Sequence, residues 1–546
     1  MPTIRFDYQD FIGVLGYKLP LADLITKLPL FGIGIEEMES DNITVEISPN
    51  RPDLFSVEGI ARAMRAFFGF ELGIKKYEVK KTDLSLLVDS SVKGVRPLIR
   101  CALVKGIDMR SIESLMEFQE KLHESIGQQR KRMAIGLHNF AKVSPPFTYK
   151  AVKSEAVEFV PLGSTRSMNI KEILAQHEKG IEYRHLVDGL DRYPIIVDST
   201  DAVLSFPPII NSDLTALSES TRDCFIDVTG TNLKAVEKAL NVLCCALAER
   251  GGVIYHFSVI NGKRSILSPD LSSRQVELDP SYADQMLGEK LSKKDQVGAL
   301  RKMGFNASQI NDRIKVEVPA WRWDVLHEID LVEDIAIGWG FDRLKPDKIS
   351  SLTYGQELEE KKRIETIRKL MQGLGFSEVV TLTLSSEKDQ FTKFGLNPKM
   401  HKIVGLENPI SKDYSLIRIS LLPNLLNSLK TNKRFPLPQQ IFETGEVIEW
   451  KKGVPLNCFK VAGVKIDSKT NFTECKSAVQ TILRQLGIEF EIKGKAHPAF
   501  IQGRCASLIH KKNEIGYFGE FHPKVITSFE LENPLVGFEL SVRNLL

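Results

Sequence analysis

Apolar residues recur along the chain at two spacings, and the changes between them outline its elements. Residues 21–30 carry a helical pattern. Residues 42–47 alternate, with Ile43, Val45 and Ile47 on one side, and predict a strand. Ser56 is placed to cap a helix whose buried stripe is Ile60, Met64 and Phe67. Residues 95–107 read as a strand and 111–126 as an amphipathic helix lined by Ile112, Leu115, Met116, Leu122 and Ile126. Residues 204–215 contain Pro207 and Pro208, which a central strand does not accept, and are expected to form an ordered loop. Residues 225–229 read as a buried strand entering a Thr-Gly turn, with a helix over 233–247. Residues 313–318 alternate as a strand. From Ile329 the pattern is helical, with Ile329, Val332, Ile335 and Ala336 on one face and Gly338 and Gly340 ending it. Further on, 357–374 predicts a helix facing inward through Leu358, Ile367, Leu370, Met371 and Leu374. Residues 379–384 and 440–447 predict strands, and a helix runs from about 423 to 432. The class is multidomain α+β, divided at 1–85, 86–265, 268–345 and 350–546.

Composition changes this picture little. The 546 residues are 42% hydrophobic and 26% charged, with a formal net charge of +3, ordinary for a globular protein. A balance so near neutral does not announce nucleic-acid binding; Arg130-Lys131-Arg132 is a local cluster of the kind that is usually a solvated turn and could also meet an RNA backbone. No charged segment followed by an apolar run opens the chain, and no run reaches membrane-spanning length. Seven cysteines without a Cys-x-x-Cys pair speak against a disulfide scaffold or a zinc site and suit a reducing cytoplasm.

Two constellations carry chemistry. In the first, Asp330, Glu333 and Asp334 stand at i, i+3 and i+4 on one helix face, with Asp324 just before the helix. Four clustered carboxylates repel unless neutralised, and Mg2+ prefers such oxygens; a solvated acidic face near a helix start is the plainer alternative. In the second, Ser205, Asn211 and Thr215 on one segment and Asp227 and Thr229 on another could converge beside a helix start, a common place for a ligand; they could equally be turn and cap residues. The sequence pattern gives no Ser-His-Asp or Cys-His arrangement, so a positioned water is expected rather than a covalent intermediate.

The stretch Trp321–Phe341 resembles the metal-binding domain of the phenylalanyl-tRNA synthetase beta subunit family. Asn50-Arg-Pro-Asp53, the 118–149 segment, Pro207-Pro-Ile-Ile-Asn-Ser212, Phe225-Ile-Asp-Val-Thr-Gly-Thr231 and the 497–523 tail follow in that family's order. The phrases are closest to the archaeal and eukaryotic type. The resemblance implies a small N-terminal α/β domain, an α/β tRNA-editing domain over 86–265 and a winged-helix-like domain holding Mg2+ through Asp324, Asp330, Glu333 and Asp334. It also implies a class II synthetase-like antiparallel sheet over 350–546 that lacks catalytic motifs. Ile441-Phe442-Glu443 has no arginine for an α-phosphate, and no glycine-rich segment ends in a suitable arginine. The implied activity is phenylalanine–tRNA ligation, with ATP used by an alpha subunit, assembly as two alpha and two beta, and tRNA(Phe) as partner. The implied editing residues are Asp227, Thr229, Ser205, Asn211 and Thr215, acting on Tyr-tRNA(Phe). A stand-alone editing hydrolase and a nucleic-acid-binding scaffold are the alternatives.

Overall fold

The computed structural model describes residues 2–108, 112–346, 348 and 353–545. They form two compact units, Met1–Lys348 and Ile349–Leu546.

The first unit opens with a three-stranded antiparallel sheet in the order Thr3–Asp7, Asn42–Glu46, Gly34–Glu39. The alternation read at Asn42–Glu46 puts Ile43 and Val45 into the core. The helix Val57–Phe67 follows, its N-terminus capped by the Ser56 hydroxyl, which accepts from Gly59 N–H at 3.3 Å. Ile60 and Met64 are fully buried.

A large sheet comes next. Its path runs Ile210–Asn211, Val203–Phe206, Tyr193–Val197, Phe147–Val152, Ser85–Val88, Val253–Asn261, Leu98–Lys105, Cys224–Gly230, Met133–Asn139. The two ends of this path approach one another, because Asn211 Nδ2 donates to the carbonyl of Leu137 at 3.3 Å. The sheet therefore curls, and twist accumulated over many strands is what brings its ends round. Residues 204–215 correct the expectation of a loop. Leu204, Ser205 and Phe206 lie in a strand paired with Ile210–Asn211, and the cis Pro207–Pro208 bond sits in the connection, where no ladder N–H is needed.

The helix Leu233–Glu249 packs on the strands Leu98–Lys105 and Cys224–Gly230 and is buried on most of its circumference. A third sheet, Arg274–Leu278, Arg313–Val318, Asn306–Ile310, carries the helices Pro280–Leu287, Lys293–Lys302 and Glu328–Trp339. One hydrophobic core runs through all three parts, from Phe11 through Ile226 and Leu243 to Ile335. The last helix departs from its reading in two ways. Gly338 lies inside it and only Gly340 ends it; Ile329 is 39% exposed while Leu331 takes the buried place.

The second unit is a seven-stranded sheet in the order Ser377–Glu378, Gln439–Lys451, Val454–Ile466, Leu535–Ser541, Asn513–Phe521, Phe500–His510, Glu491–Gly494, antiparallel except at its first pair. The helices Glu359–Gly373 and Phe472–Gln485 share one core with the sheet, and Leu422–Thr431 packs into another. Ile367 and Met371 face inward as read, but Leu358 is an exposed N-cap. Residues 379–384 do not form one strand: Val380 and Leu382 meet no core and are exposed, with two-residue strands on either side. Among the described residues no helix is long and apolar enough to cross a membrane.

Candidate functional site

Where the ends of the curled sheet meet, they enclose a cavity of about 550 Å3, within the range of small-molecule sites. All five polar residues expected to converge line it: Ser205, Asn211, Thr215, Asp227 and Thr229. Strand geometry explains why. Successive residues of Cys224–Gly230 point to opposite faces, so Asp227 and Thr229 share the inner one. Asp227 pairs with Gly136 and Thr229 with Ala134 on the neighbouring strand, while Ser205 is paired with Asn211 across the hairpin. Gly136 is required here: a Cβ would collide with Asp227 Oδ2.

The structure adds a residue that the sequence reading left out of the site. His138, on the inner face of Met133–Asn139, joins Asp227 Oδ2 through Nε2 at 2.8 Å and Thr215 Oγ1 through Nδ1 at 2.8 Å. Thr215 also donates to the carbonyl of Ser212 at 3.1 Å, so its oxygen accepts from His138 Nδ1–H, and one proton is held between the imidazole and Asp227. Both ring nitrogens are thereby engaged, and neither remains to activate Ser205. Alternation over 133–139 was the available signal, since it places 134, 136 and 138 on one face.

Three polar groups remain for a ligand. Ser205 Oγ is buried without a hydrogen-bond partner. Thr229 Oγ1 accepts from Arg96 Nε at 3.0 Å, which leaves the hydroxyl proton to give. Arg96 also donates from Nη2 to the Thr229 carbonyl at 3.0 Å, and burial pulls this guanidinium down to about 10. Asn211 holds its place by its bond to Leu137. Around these groups the lining is apolar, with Ile112, Met116, Leu137, Leu162 and Ile209 among its members.

One wall is an ion network. Arg130 Nη2 donates to Glu120 Oε1 at 2.6 Å and Nη1 to the carbonyl of Ile209 at 2.9 Å, while its guanidinium stacks on Tyr183, 4.2 Å from the ring centroid. His123 Nε2 accepts from Ile135 N–H at 2.8 Å, so the proton is on Nδ1, which gives it to Glu120 Oε1 at 3.1 Å. Burial would raise Glu120, but His123 and Arg130 bring it down to about 2; burial also holds His123 below its ordinary value. Arg130 thus belongs to the pocket wall and not to a basic surface, whereas Lys131 and Arg132 are exposed. Gln128, Gln129 and Arg130 all have positive φ (48°, 53° and 65°), a left-handed turn that points Arg130 inward.

The four acids expected to share Mg2+ do not gather. Arg322, itself 4% exposed, reaches Asp324 Oδ2 and Asp334 Oδ2 from Nη2, both at 2.6 Å. Arg51 Nε stands 4.0 Å from Asp324. Asp330 Oδ2 accepts from the N–H groups of Leu326 and His327 at 2.6 and 2.7 Å, closing the helix N-terminus. Glu333 is on the exposed side. Burial lifts Asp334 to about 6 against the pull of Arg322, and Asp324, though buried, is held below its ordinary value by Arg322. Among the described residues no group of three or more His, Cys, Asp or Glu is arranged to hold a metal ion. In this arrangement one guanidinium bridges two of the carboxylates, backbone donors satisfy a third and the fourth is exposed, so the set as placed does not converge on a shared cation.

In the second unit the buried strand acid Glu443 is paired with Arg418 at 2.8 Å and accepts from Thr381 Oγ1 at 2.6 Å. On the same sheet face Glu539 accepts from Ser420 Oγ at 2.8 Å and Leu421 N–H at 2.7 Å. The segment leading into Leu422–Thr431 therefore sits on these acids and fills that face.

Residues 276–341 match the family described as tRNA synthetase B5 domain, and residues 348–542 match the phenylalanyl tRNA synthetase beta chain CLM domain. These are domains of a multidomain aminoacyl-tRNA synthetase chain. The sequence is 41% identical over 555 residues to the phenylalanine–tRNA ligase beta subunit of Methanocaldococcus jannaschii, covering 99% of this chain and 100% of that one. It is 42% identical over 550 residues to the same subunit of Methanosarcina barkeri, covering 100% and 99%. A crystal structure of an N-terminal fragment of the phenylalanyl-tRNA synthetase beta subunit from Pyrococcus horikoshii superposes with a TM-score of 0.60 at 35% identity, covering 62% of this chain and 99% of the fragment. The chain belongs to the phenylalanine–tRNA ligase beta subunit family.

Proposed function

We propose that this chain pairs with a catalytic alpha subunit, as two alpha and two beta, to charge tRNA(Phe) with phenylalanine in the cytoplasm, and that its large cavity hydrolyses Tyr-tRNA(Phe). ATP and its Mg2+ are used at the alpha subunit's site. The sheet of the second unit is read as a class II synthetase-like scaffold, and the Arg274–Trp339 part as winged-helix-like.

The observation that carries the editing reading is the convergence of Ser205, Asn211, Thr215, Asp227 and Thr229 on one cavity with apolar walls, with His138 bonded to Thr215 and Asp227 behind them. An apolar pocket that accepts phenylalanine rejects an added hydroxyl by only about 100-fold. A second site with unpaired buried polar groups selects in the other direction, because phenylalanine cannot replace the hydration those groups lose. Ser205 Oγ and the Thr229 hydroxyl proton are such groups. Asp227, held by His138, takes a proton from the water that attacks the ester carbonyl and returns it to the departing ribose oxygen, with no covalent intermediate.

Deacylation of Tyr-tRNA(Phe) by the purified two-subunit complex tests this. Asp227→Ala is expected to abolish it while charging with phenylalanine persists. Unchanged deacylation in Asp227→Ala, and again in Thr229→Ala, would move the activity out of this cavity. ATP–pyrophosphate exchange with phenylalanine is expected from the complex and not from this chain alone.

A further inference from the structure

Glu120 lines the large cavity, and neither Asp227 nor the hydroxyls of Ser205 and Thr229 use it. It is gripped at one oxygen only. His123 Nδ1 and Arg130 Nη2 both donate to Oε1, at 3.1 and 2.6 Å, and among the described residues Oε2 takes no hydrogen bond. The two donors are buried side chains, 3% and 9% accessible, whereas the Glu120 side chain is 41% accessible. A carboxylate held at one oxygen by two buried groups turns its second oxygen away from them, and this one lines the cavity.

The same two donors tie Glu120 to the strands that carry the polar groups of the site. His123 Nε2 accepts from the N–H of Ile135, the neighbour of Gly136, and Gly136 is the residue paired with Asp227. Arg130 Nη1 donates to the carbonyl of Ile209, in the hairpin that carries Ser205. The charge on Glu120 is permanent, because His123 and Arg130 bring it down to about 2. Burial keeps His123 below its ordinary value, so at neutral pH the imidazole is an uncharged donor. Arg130 spends its N–H groups on Oε1 and on backbone carbonyls and its face on Tyr183, which leaves Oε2 to a newcomer.

We propose that Glu120 Oε2 receives the α-ammonium of the aminoacyl group, so that the cavity acts on esters of free amino acids and spares those whose amine is absent or blocked. This rests on the reading of the cavity as a site for Tyr-tRNA(Phe). A carboxylate oxygen beside apolar walls is costly until a donor meets it. Of the polar groups on a tyrosyl ester, the phenol is matched by Ser205 and Thr229, and the carbonyl belongs to the water that Asp227 activates. The α-ammonium is what remains, and it brings both a positive charge and N–H donors, the strongest match for an ionised acceptor. Glu120 thereby fixes the α-carbon, and with it the carbonyl, relative to Asp227.

Two esters of tRNA(Phe) test the proposal with the purified two-subunit complex: one of tyrosine, the other of 4-hydroxyphenyllactate, which carries a hydroxyl where tyrosine has its amine. Each enzymatic rate is divided by that ester's spontaneous hydrolysis, since an α-ammonium activates its own ester. The wild-type complex is expected to favour the tyrosyl ester by about tenfold or more, the worth of a hydrogen bond between charged groups. Glu120→Gln is expected to slow the tyrosyl ester by a similar factor and to leave the hydroxy ester within about twofold, so that the preference vanishes. Equal handling of the two esters by the wild type overturns the proposal alone, as does an equal slowing of both by Glu120→Gln, which would make Glu120 a structural part of the wall. Should Glu120→Gln fail to fold by circular dichroism, the wild-type comparison decides. Hydrolysis of neither ester by the wild type overturns the reading of the cavity, and this proposal with it.

Discussion

Asp227 Oδ2 and His138 Nε2 lie 2.8 Å apart on neighbouring strands, both shut away from bulk water, and Thr215 fixes the far side of the imidazole. Removing the ring while keeping a hydrogen-bonding side chain, as in His138→Gln, is expected to slow Tyr-tRNA(Phe) deacylation by about 100-fold or more, the usual worth of a placed base, because Asp227 loses the imidazole that positions it. Charging with phenylalanine is expected to continue. Single-turnover deacylation would check this, and a wild-type rate would make His138 a structural residue.

Ser205 makes the opposite kind of prediction. Its buried hydroxyl has no partner, so Ser205→Ala is expected to leave the melting temperature unchanged or slightly raised. The same change is expected to reduce the preference for Tyr-tRNA(Phe) over Phe-tRNA(Phe). Calorimetry together with deacylation of both substrates would show whether stability and selectivity separate in this way.

Chelation is expected to do little to the fold. Asp324 and Asp334 are already bridged by Arg322, and Asp330 caps a helix. Dialysis against a chelator should leave the melting temperature of the isolated chain unchanged, and Glu333→Ala should stay within about 0.5 kcal/mol, as surface substitutions do. A clear rise of the melting temperature with added Mg2+ that Glu333→Ala removes would restore the shared cation. Arg322→Met is the disruptive change: it strands buried carboxylates and is expected to cost about 3–5 kcal/mol in denaturant unfolding.

The second unit should be sensitive to acid through His497. Burial, helped by Lys495, lowers this imidazole to about 4, against 6.5 as its ordinary value. Between those values the unfolded chain binds a proton that the folded chain refuses. Stability is therefore full above about pH 6.5 and falls as pH drops towards 4, by at most about 3 kcal/mol. His497→Asn is expected to flatten that slope, measured as the melting temperature of the second unit from pH 7 to 4. Asp334, lifted to about 6, works the other way in the first unit, since there the fold holds the extra proton.

Glu443 is clamped between Arg418 and Thr381 with almost no exposure. Glu443→Gln leaves the Arg418 charge buried with only neutral partners and is expected to destabilise the second unit by about 3–5 kcal/mol without creating any ATP–pyrophosphate exchange. Urea unfolding and an exchange assay would settle both halves.

Much of this was readable from residue patterns, and the misses share a cause. Asp227 and Thr229 were found because a buried strand ending in polar residues is locally distinctive. His138 was not, since its meaning depends on a register between strands that are distant in sequence. The metal reading passed over Arg322, two residues before Asp324: helical spacing put Asp330, Glu333 and Asp334 together, but tertiary packing buried Asp334 against that arginine. The prolines at 207 and 208 were correctly read as excluded from a ladder, yet they occupy only the connection, and the strand carrying Ser205 was lost with them. Val380 and Leu382 look like strand residues because hydrophobicity alone does not say whether a core is near.

The helix Leu233–Glu249 serves two owners at once. One side roofs the strands that carry Asp227 and Thr229; the other meets the N-terminal helix Val57–Phe67, where its Glu249 holds Arg65 and Tyr77, and Arg250 just beyond it grips Asp10 and Glu58. The large cavity is consequently not portable. Excised as 86–265, it would turn this helix's second apolar side outward and clump, so transplanting the cavity into another protein would require carrying the N-terminal segment along as ballast.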